Sequence, residues 1–286
     1  MRFLTALLLG LFICNLHAQS KKIPSPNLLV APLMDNGPAI DGKPCGPIWD
    51  KANWGGNLVF INQNEITKEL KGEVGVLWTR EALFVGFRMQ LDHPPRVEPG
   101  SYKGDDGLER DDSVEVTLSI PGFAERIKDK KVVQFKLNCM GLRDDGLNFD
   151  FSWNAKWDGA VTRNGNNWNA TFKLPFSNFK LQPKVGTVWG ANFGAFLKGH
   201  KYRAFLWNPV YGRHHHKSPL GKLVFGDKAV PGCSIDKIES KLGNLEVSGQ
   251  YRGSNGVARV LVLPDKQTGK GKEVVNDFLI ANFDQD

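Results

Sequence analysis

Residues 110 to 118 read "RDDSVEVTL", three carboxylates within five positions followed by an apolar alternation. Paired carboxylates can do acid and base work across a cleft about 5 to 9 Å wide, or bind a hard cation, or hydrogen-bond a polyol. Here Val114, Val116 and Leu118 share one phase of a strand, which places Glu115 on the opposite, polar face, where nothing in the sequence signals the burial that raises a catalytic pKa. Asp112 stands at the turn before the strand, a position where Asp caps backbone amides, and is counted with Glu115 and Lys136 among the candidate ligand contacts. In "VVQFKLN" (132–138), the phase of Val133, Phe135 and Leu137 turns Lys136 outward in the same way, so Glu115 and Lys136 meet on one face if their strands are neighbours. The loop segment "FLWNPVYGRHHH" adds Trp207, Tyr211 and His214 as candidates to close one end of such a groove. Its three consecutive histidines cannot all face one metal from an extended backbone. Oxygen ligands for a structural Ca²⁺ are sought in the acidic turns at Asp92, Asp105, Asp106, Asp111 and Asp112 and in "RDDG" (143–146), with Asp105 and Asp111 the leading candidates, because only loops let six or more oxygens converge.

These residues need a rigid frame, and the frame is all-β. "EVGVLWT" (73–79) and "LFVGFRMQ" (83–90) form a hairpin; "VEVTLSI" (114–120), "VVQFKLN", "WNATFKL" (168–174), "VWGANFGAFLK" (188–198) and "GKLVF" (221–225) complete seven strands with no amphipathic helix between them. Clean alternation means one packed and one wet face, so an antiparallel β-sandwich of jelly-roll or immunoglobulin-like type is expected. Trp168, Trp189 and Met89 fall in phase with apolar neighbours and are read as core. The pattern breaks at "GDKAVPGCS" (226–234); beyond it lie short strands of a second, partial β unit resembling an incomplete immunoglobulin-like module.

The chain opens on one Arg, an apolar run from Phe3 to Cys14, and then small and polar residues, the pattern of a secretory signal peptide cleaved after Ala18. That run is too short to span a bilayer, which takes about 20 residues. The expected division is a signal peptide (1–18), an extended linker (19–31), the sandwich (32–226) and the tail (227–286), in a protein exported to the periplasm or the outside of the cell. The net charge of +7, from 37 Lys and Arg against 30 Asp and Glu, is spread along the chain with no basic run beyond "KDKK", which argues against nucleic acid. Three cysteines follow the signal, Cys45, Cys139 and Cys233, an odd number that allows one disulfide at most. There is no GxSxG elbow and no phosphate loop, so no enzyme is read here.

In order, "AIDGKPCGPIWDKA", "GEVGVLWTREALFVGFRMQLD", "RDDSVEVTL", "VVQFKLN", "NNWNATFKLPFSNF", "VGTVWGANFGAF" and "SPLGKLVFG" resemble a family 9 carbohydrate-binding module over about residues 32–226. The resemblance implies a sandwich that binds sugars without cutting them, often with structural calcium, and commonly attached to a larger polysaccharide-degrading protein. Sugar-binding members place two tryptophans around a terminal sugar; the corresponding positions here hold Glu109 and His214. The polar half is kept as Glu115 and Lys136, and Trp157, Trp207 and Tyr211 are the replacement aromatics on offer. A structural spacer without ligand is the second class. A haem-binding relative of the sandwich is the third; it would need an axial pair such as Met89 with a His or Lys, and Met89 falls on the inward face of its strand, so no haem is expected.

Overall fold

The computed structural model describes residues 27–61, 67–97, 108, 111–123, 132–148, 150–198, 203–208 and 220–228, and describes 233–241, 244–251, 257–261 and 277–282 for the backbone. Among the described residues the chain is built of strands joined by turns and two single 3-10 turns. In chain order they are β1 (Leu28–Leu33), β2 (Asn53–Gly55), β3 (Val59–Phe60), β4 (Leu70–Trp78), β5 (Ala82–Leu91), β6 (Ser113–Ser119), β7 (Val133–Asn138), β8 (Arg143–Leu147), β9 (Asp158–Asn164), β10 (Asn167–Pro175), β11 (Val188–Leu197), β12 (Arg203–Leu206) and β13 (Gly221–Lys228). The tail adds two hairpins, β14 (Cys233–Lys241) with β15 (Asn244–Tyr251) and β16 (Val257–Leu261) with β17 (Asp277–Asn282).

The thirteen strands form one hydrogen-bonded sheet whose main path runs β8-β7-β6-β11-β13-β1-β4-β5-β10-β9. It wraps on itself so that its two halves face each other as a sandwich. Phe87 of β5 meets Phe193 of β11 at 6.5 Å between ring centres, and Phe135 of β7 meets Trp157, which stacks on Phe172 of β10. The alternation in the sequence is the cause. Val114, Val116 and Leu118 of β6, Phe135 and Leu137 of β7, and Trp168, Ala170, Phe172 and Leu174 of β10 are all fully buried. At about 25 cal/mol per Å² of apolar surface removed from water, each such Val, Leu or Phe side chain contributes roughly 1.5 to 3 kcal/mol. Trp168, Trp189 and Met89 are core, as their phase predicts.

The structure differs from the expectation in two respects. The sheet is mixed rather than purely antiparallel, because β1 runs parallel to both β13 and β4 and joins the two halves. The segment expected as linker therefore supplies a strand, with Leu29 and Ala31 in the core, and the folded unit begins at or before Leu28 rather than at Pro32. The "IDG" turn is pinned from both sides. The Gly42 N–H donates to Thr171 Oγ1, and Thr162 Oγ1 donates to the Gly42 carbonyl. Gly42 has φ +75°, and a Cβ there would lie 2.3 Å from the Val161 carbonyl carbon, so both backbone conformation and space demand glycine.

Candidate functional site

The face of β6 opposite the core carries Ser113, Glu115 and Thr117. Pairing registers extend it into rows across neighbouring strands. One row runs Leu206, Gly194, Glu115, Lys136 and Asp144 across β12, β11, β6, β7 and β8. The next runs Asn192, Thr117, Gln134 and Gly146. Glu115 and Lys136 are direct cross-strand neighbours, as their phases require.

The face is less wet than expected. Glu115 is only 3% exposed, and one carboxylate oxygen accepts from Thr117 Oγ1 at 2.6 Å and from Gln134 Nε2 at 3.1 Å. Gln134 and Asp144 are 5% and 6% exposed, while Lys136 and Thr117 are half-buried. Beside this polar patch Phe196, Ala204 and Leu206 form a small apolar cluster against Ile61, separate from the main core. Glu115 therefore lies beneath the surface as an oriented acceptor, and Lys136 and Thr117 are the accessible members. A carboxylate in such a position makes charge-assisted hydrogen bonds of about 1.5 to 3 kcal/mol each.

Asp112 does not line this face. Its two carboxylate oxygens accept the backbone N–H of Arg96 at 2.9 Å and of Lys198 at 2.7 Å, while its own N–H and carbonyl bond Arg96 and Cys139. It ties the loop after β5, the start of β6, the end of β7 and the end of β11 together. Burial pushes its carboxyl above the usual carboxylate range, and the two amides pull partly the other way. Asp111 is fully buried, and its Oδ2 accepts from Asn138 Nδ2 at 2.7 Å. Donors thus engage both oxygens of Asp112 and Oδ2 of Asp111. Among the described residues no three His, Cys, Asp or Glu side chains converge as metal ligands. Asp105 lies outside the described residues.

Trp207 is a core residue rather than a loop platform, 4% exposed and packed on Phe193. It sits on Gly221, where a Cβ would approach the indole to 2.3 Å. Asn192 holds the following turn: its Oδ1 accepts the Asn208 N–H at 2.9 Å and its Nδ2 donates to the Asn208 carbonyl at 3.1 Å. Trp157 is equally occupied, stacked on Phe172 with an interplanar angle of 6° and covered by Arg143 at 5.5 Å. Tyr211, His214 and Glu109 lie outside the described residues. Sequence reasoning missed Gln134, Thr117 and Asp144. The first two share the phase of Lys136 and Glu115 and were within reach of the same argument, whereas Asp144 was read as part of an acidic turn and is instead on β8.

No family model matches the chain, and no curated protein sequence matches it. Solved structures do. A family 9 carbohydrate-binding module from Caldicellulosiruptor kristjanssonii in complex with cellotriose superposes with a TM-score of 0.50 at 15% identity, covering 71% of this chain and 96% of that one. The structure of a family 9 module from the same organism in complex with glucose gives 0.50 at 13% identity, over 70% and 97%. A candidate carbohydrate-binding protein from Bacteroides uniformis gives 0.54 at 15% identity, over 70% of this chain and all of that one. The fold is that of a family 9 carbohydrate-binding module, as the ordered motifs suggested.

Proposed function

We propose that this chain is an exported, non-catalytic glycan-binding protein whose ligand contacts centre on Lys136, with Glu115 as its cross-strand neighbour and Thr117, Gln134 and Asp144 around the pair. The observation that carries the reading is the cross-strand row Glu115, Lys136 and Asp144, placed beside the Phe196 and Leu206 cluster on a sandwich whose solved neighbours include sugar complexes. Polar groups hydrogen-bond sugar hydroxyls with charge assistance. Export is supported by the N-terminal sequence pattern, and no described helix is long and apolar enough to cross a membrane. Service within a polysaccharide-degrading system is part of the same reading.

Polar contacts largely replace those already made with water, so affinity is low, with Kd on the order of 0.1 to 1 mM, about −4 to −5.5 kcal/mol. A glycan array of the mature chain, followed by calorimetry with glucose and cellotriose, tests it. Lys136→Met is expected to lose the binding while keeping the fold. An array that stays blank sinks the reading and leaves the structural spacer.

A further inference from the structure

A second place in the molecule carries different chemistry. At the edge of the sandwich, where β8 and β9 approach each other, an open cleft of about 490 Å³ lies between the loop 154–157 and the outer face of β10. That is within the range of small-ligand clefts, roughly 300 to 1,000 Å³. Its charged lining is Arg143, Lys156 and Lys173 against Asp145 and Asp158. The two aspartates are not equivalent. Asp145 has both oxygens engaged, one by the Ala155 N–H at 2.7 Å and the other by Trp157 Nε1 at 3.0 Å. Asp158 lies 3.8 Å from Arg143, whose guanidinium also donates to the Trp157 carbonyl. Lys156 and Lys173 make no ion pair among the described residues.

The cleft is also fixed in shape. Asn178 holds the Lys156 backbone from both sides, its Oδ1 accepting the N–H at 3.0 Å and its Nδ2 donating to the carbonyl at 2.9 Å. Trp157 forms the wall with its ring already stacked on Phe172 and covered by Arg143, so no aromatic face is free to take a neutral sugar. What the cleft offers is two lysines, the backbone of one of them braced, next to a carboxylate able to accept hydroxyl hydrogen bonds. A singly charged anion with neighbouring hydroxyls matches that set, because three cations against two aspartates leave one net positive charge for a single carboxylate to neutralise.

We propose that this cleft binds the carboxylate of a uronic acid residue in an acidic glycan, through Lys156 and Lys173. The carboxylate follows from the cleft itself; that a sugar carries it rests on the preceding reading. The site lies apart from the Lys136 face, so the two can fail separately.

The test is calorimetry of the full mature chain at low ionic strength with trigalacturonate, cellotriose, citrate and a sulfated disaccharide. Trigalacturonate is expected to bind, to weaken as salt screens the lysines, and to lose about five-fold or more in Lys156→Gln/Lys173→Gln, as for two exposed charge pairs. Both side chains are at least partly solvent-exposed, and Lys156→Gln keeps the backbone bonds to Asn178, so circular dichroism should show an unchanged fold. Lys136→Met should leave trigalacturonate binding unaltered. The proposal is overturned if trigalacturonate does not bind at about 10 mM, ten times the weaker end of the range expected for the Lys136 face. Binding undiminished in the double variant, or citrate or the sulfated disaccharide binding as well as trigalacturonate, overturns it too. Cellotriose reports on the Lys136 face alone.

Discussion

Replacing Asp112 by Ala should be among the most damaging single changes in the sandwich. The carboxylate is fully buried and satisfies two backbone N–H groups, those of Arg96 and Lys198, that belong to different segments. Alanine leaves both donors without this acceptor in a buried place, at about 1 to 3 kcal/mol each. Part of that is returned because a carboxylate that burial has pushed above its usual pKa no longer has to be held there. The net expectation is a loss of about 2 to 4 kcal/mol. For a domain of this size each kcal/mol moves Tm by about 2 to 4 °C, so thermal unfolding should shift down by roughly 5 to 15 °C. Asn keeps one acceptor and turns an NH₂ toward the other amide, so it should fall between wild type and Ala. The pH dependence gives a second reading. With its folded pKa raised above the ordinary 3.8, Asp112 carries a destabilising share that is fully present at neutral pH. It is relieved as pH falls through the folded value, so wild type should gain on Asp112→Asn as pH drops toward 3.8. Urea titrations at pH 7 and pH 4 measure both. A loss for Asp112→Ala within 0.5 kcal/mol of zero, the range of an ordinary surface change, would refute the clamp.

Four further outcomes can be checked directly. Glu115→Ala should cost about 1 to 3 kcal/mol in chemical denaturation, because it removes a buried acceptor from Thr117 and Gln134; an unchanged midpoint would put Glu115 on a wet surface after all. Gly221→Val should lower stability by about 1 to 3 kcal/mol through overpacking against Trp207, and an unaltered melt would show that the indole can move. Cys139 is buried with its thiol pushed up to about 12, so about one in 10⁴ is thiolate at pH 8; iodoacetamide should modify exposed Cys45 in the native protein and reach Cys139 only after unfolding, as peptide mass spectrometry would show. Finally, a chain begun at Asn27 should fold cooperatively and one begun at Pro32 should not, because the latter deletes Leu29 and Ala31 from the core. Circular dichroism and thermal melts of the two decide it.

Much of the fold was legible because each long strand buries one face, and a period of two survives in "VEVTL", "VQFKL" and "WNATFKL". Strands β1, β8 and β9 were not, for different reasons. β1 carries Pro32 within it and finds its partners through parallel pairing, which leaves no turn in the sequence to announce it. β8 reads "RDDGL", a composition that favours turns, and becomes a strand by pairing with β7. β9, "DGAVTRN", is an edge strand with half-buried residues on both faces, so no alternation marks it. For the candidate site, phase correctly placed Glu115 and Lys136 side by side, but phase cannot say what lies above a sheet face. That is why Glu115 was expected in water and is found beneath the surface. The partners of Asp112 and Trp207 were out of reach for a related reason: backbone amides sixteen and eighty-six positions away, and glycine seats far along the chain, leave no local trace.

The parallel pairing of β1 has a consequence for how the molecule comes into being. Leu29 is aligned with Leu223, so the strand made among the first waits for one made nearly two hundred residues later. Loop closure over that span grows only slowly with length in free energy, yet nonlocal pairing of this kind slows folding strongly. If the chain is threaded through a membrane from its N-terminus, the half-sheet β4-β5-β10-β9 can assemble as it emerges. Until β13 arrives, β1 has only its contact with β4 and the edge of β11 that β13 will cover is unpaired, a template for other chains. Folding of a chain threaded in that way should therefore be sensitive to anything that delays the last third of the sandwich. Its misfolded products should be aggregates joined at that edge.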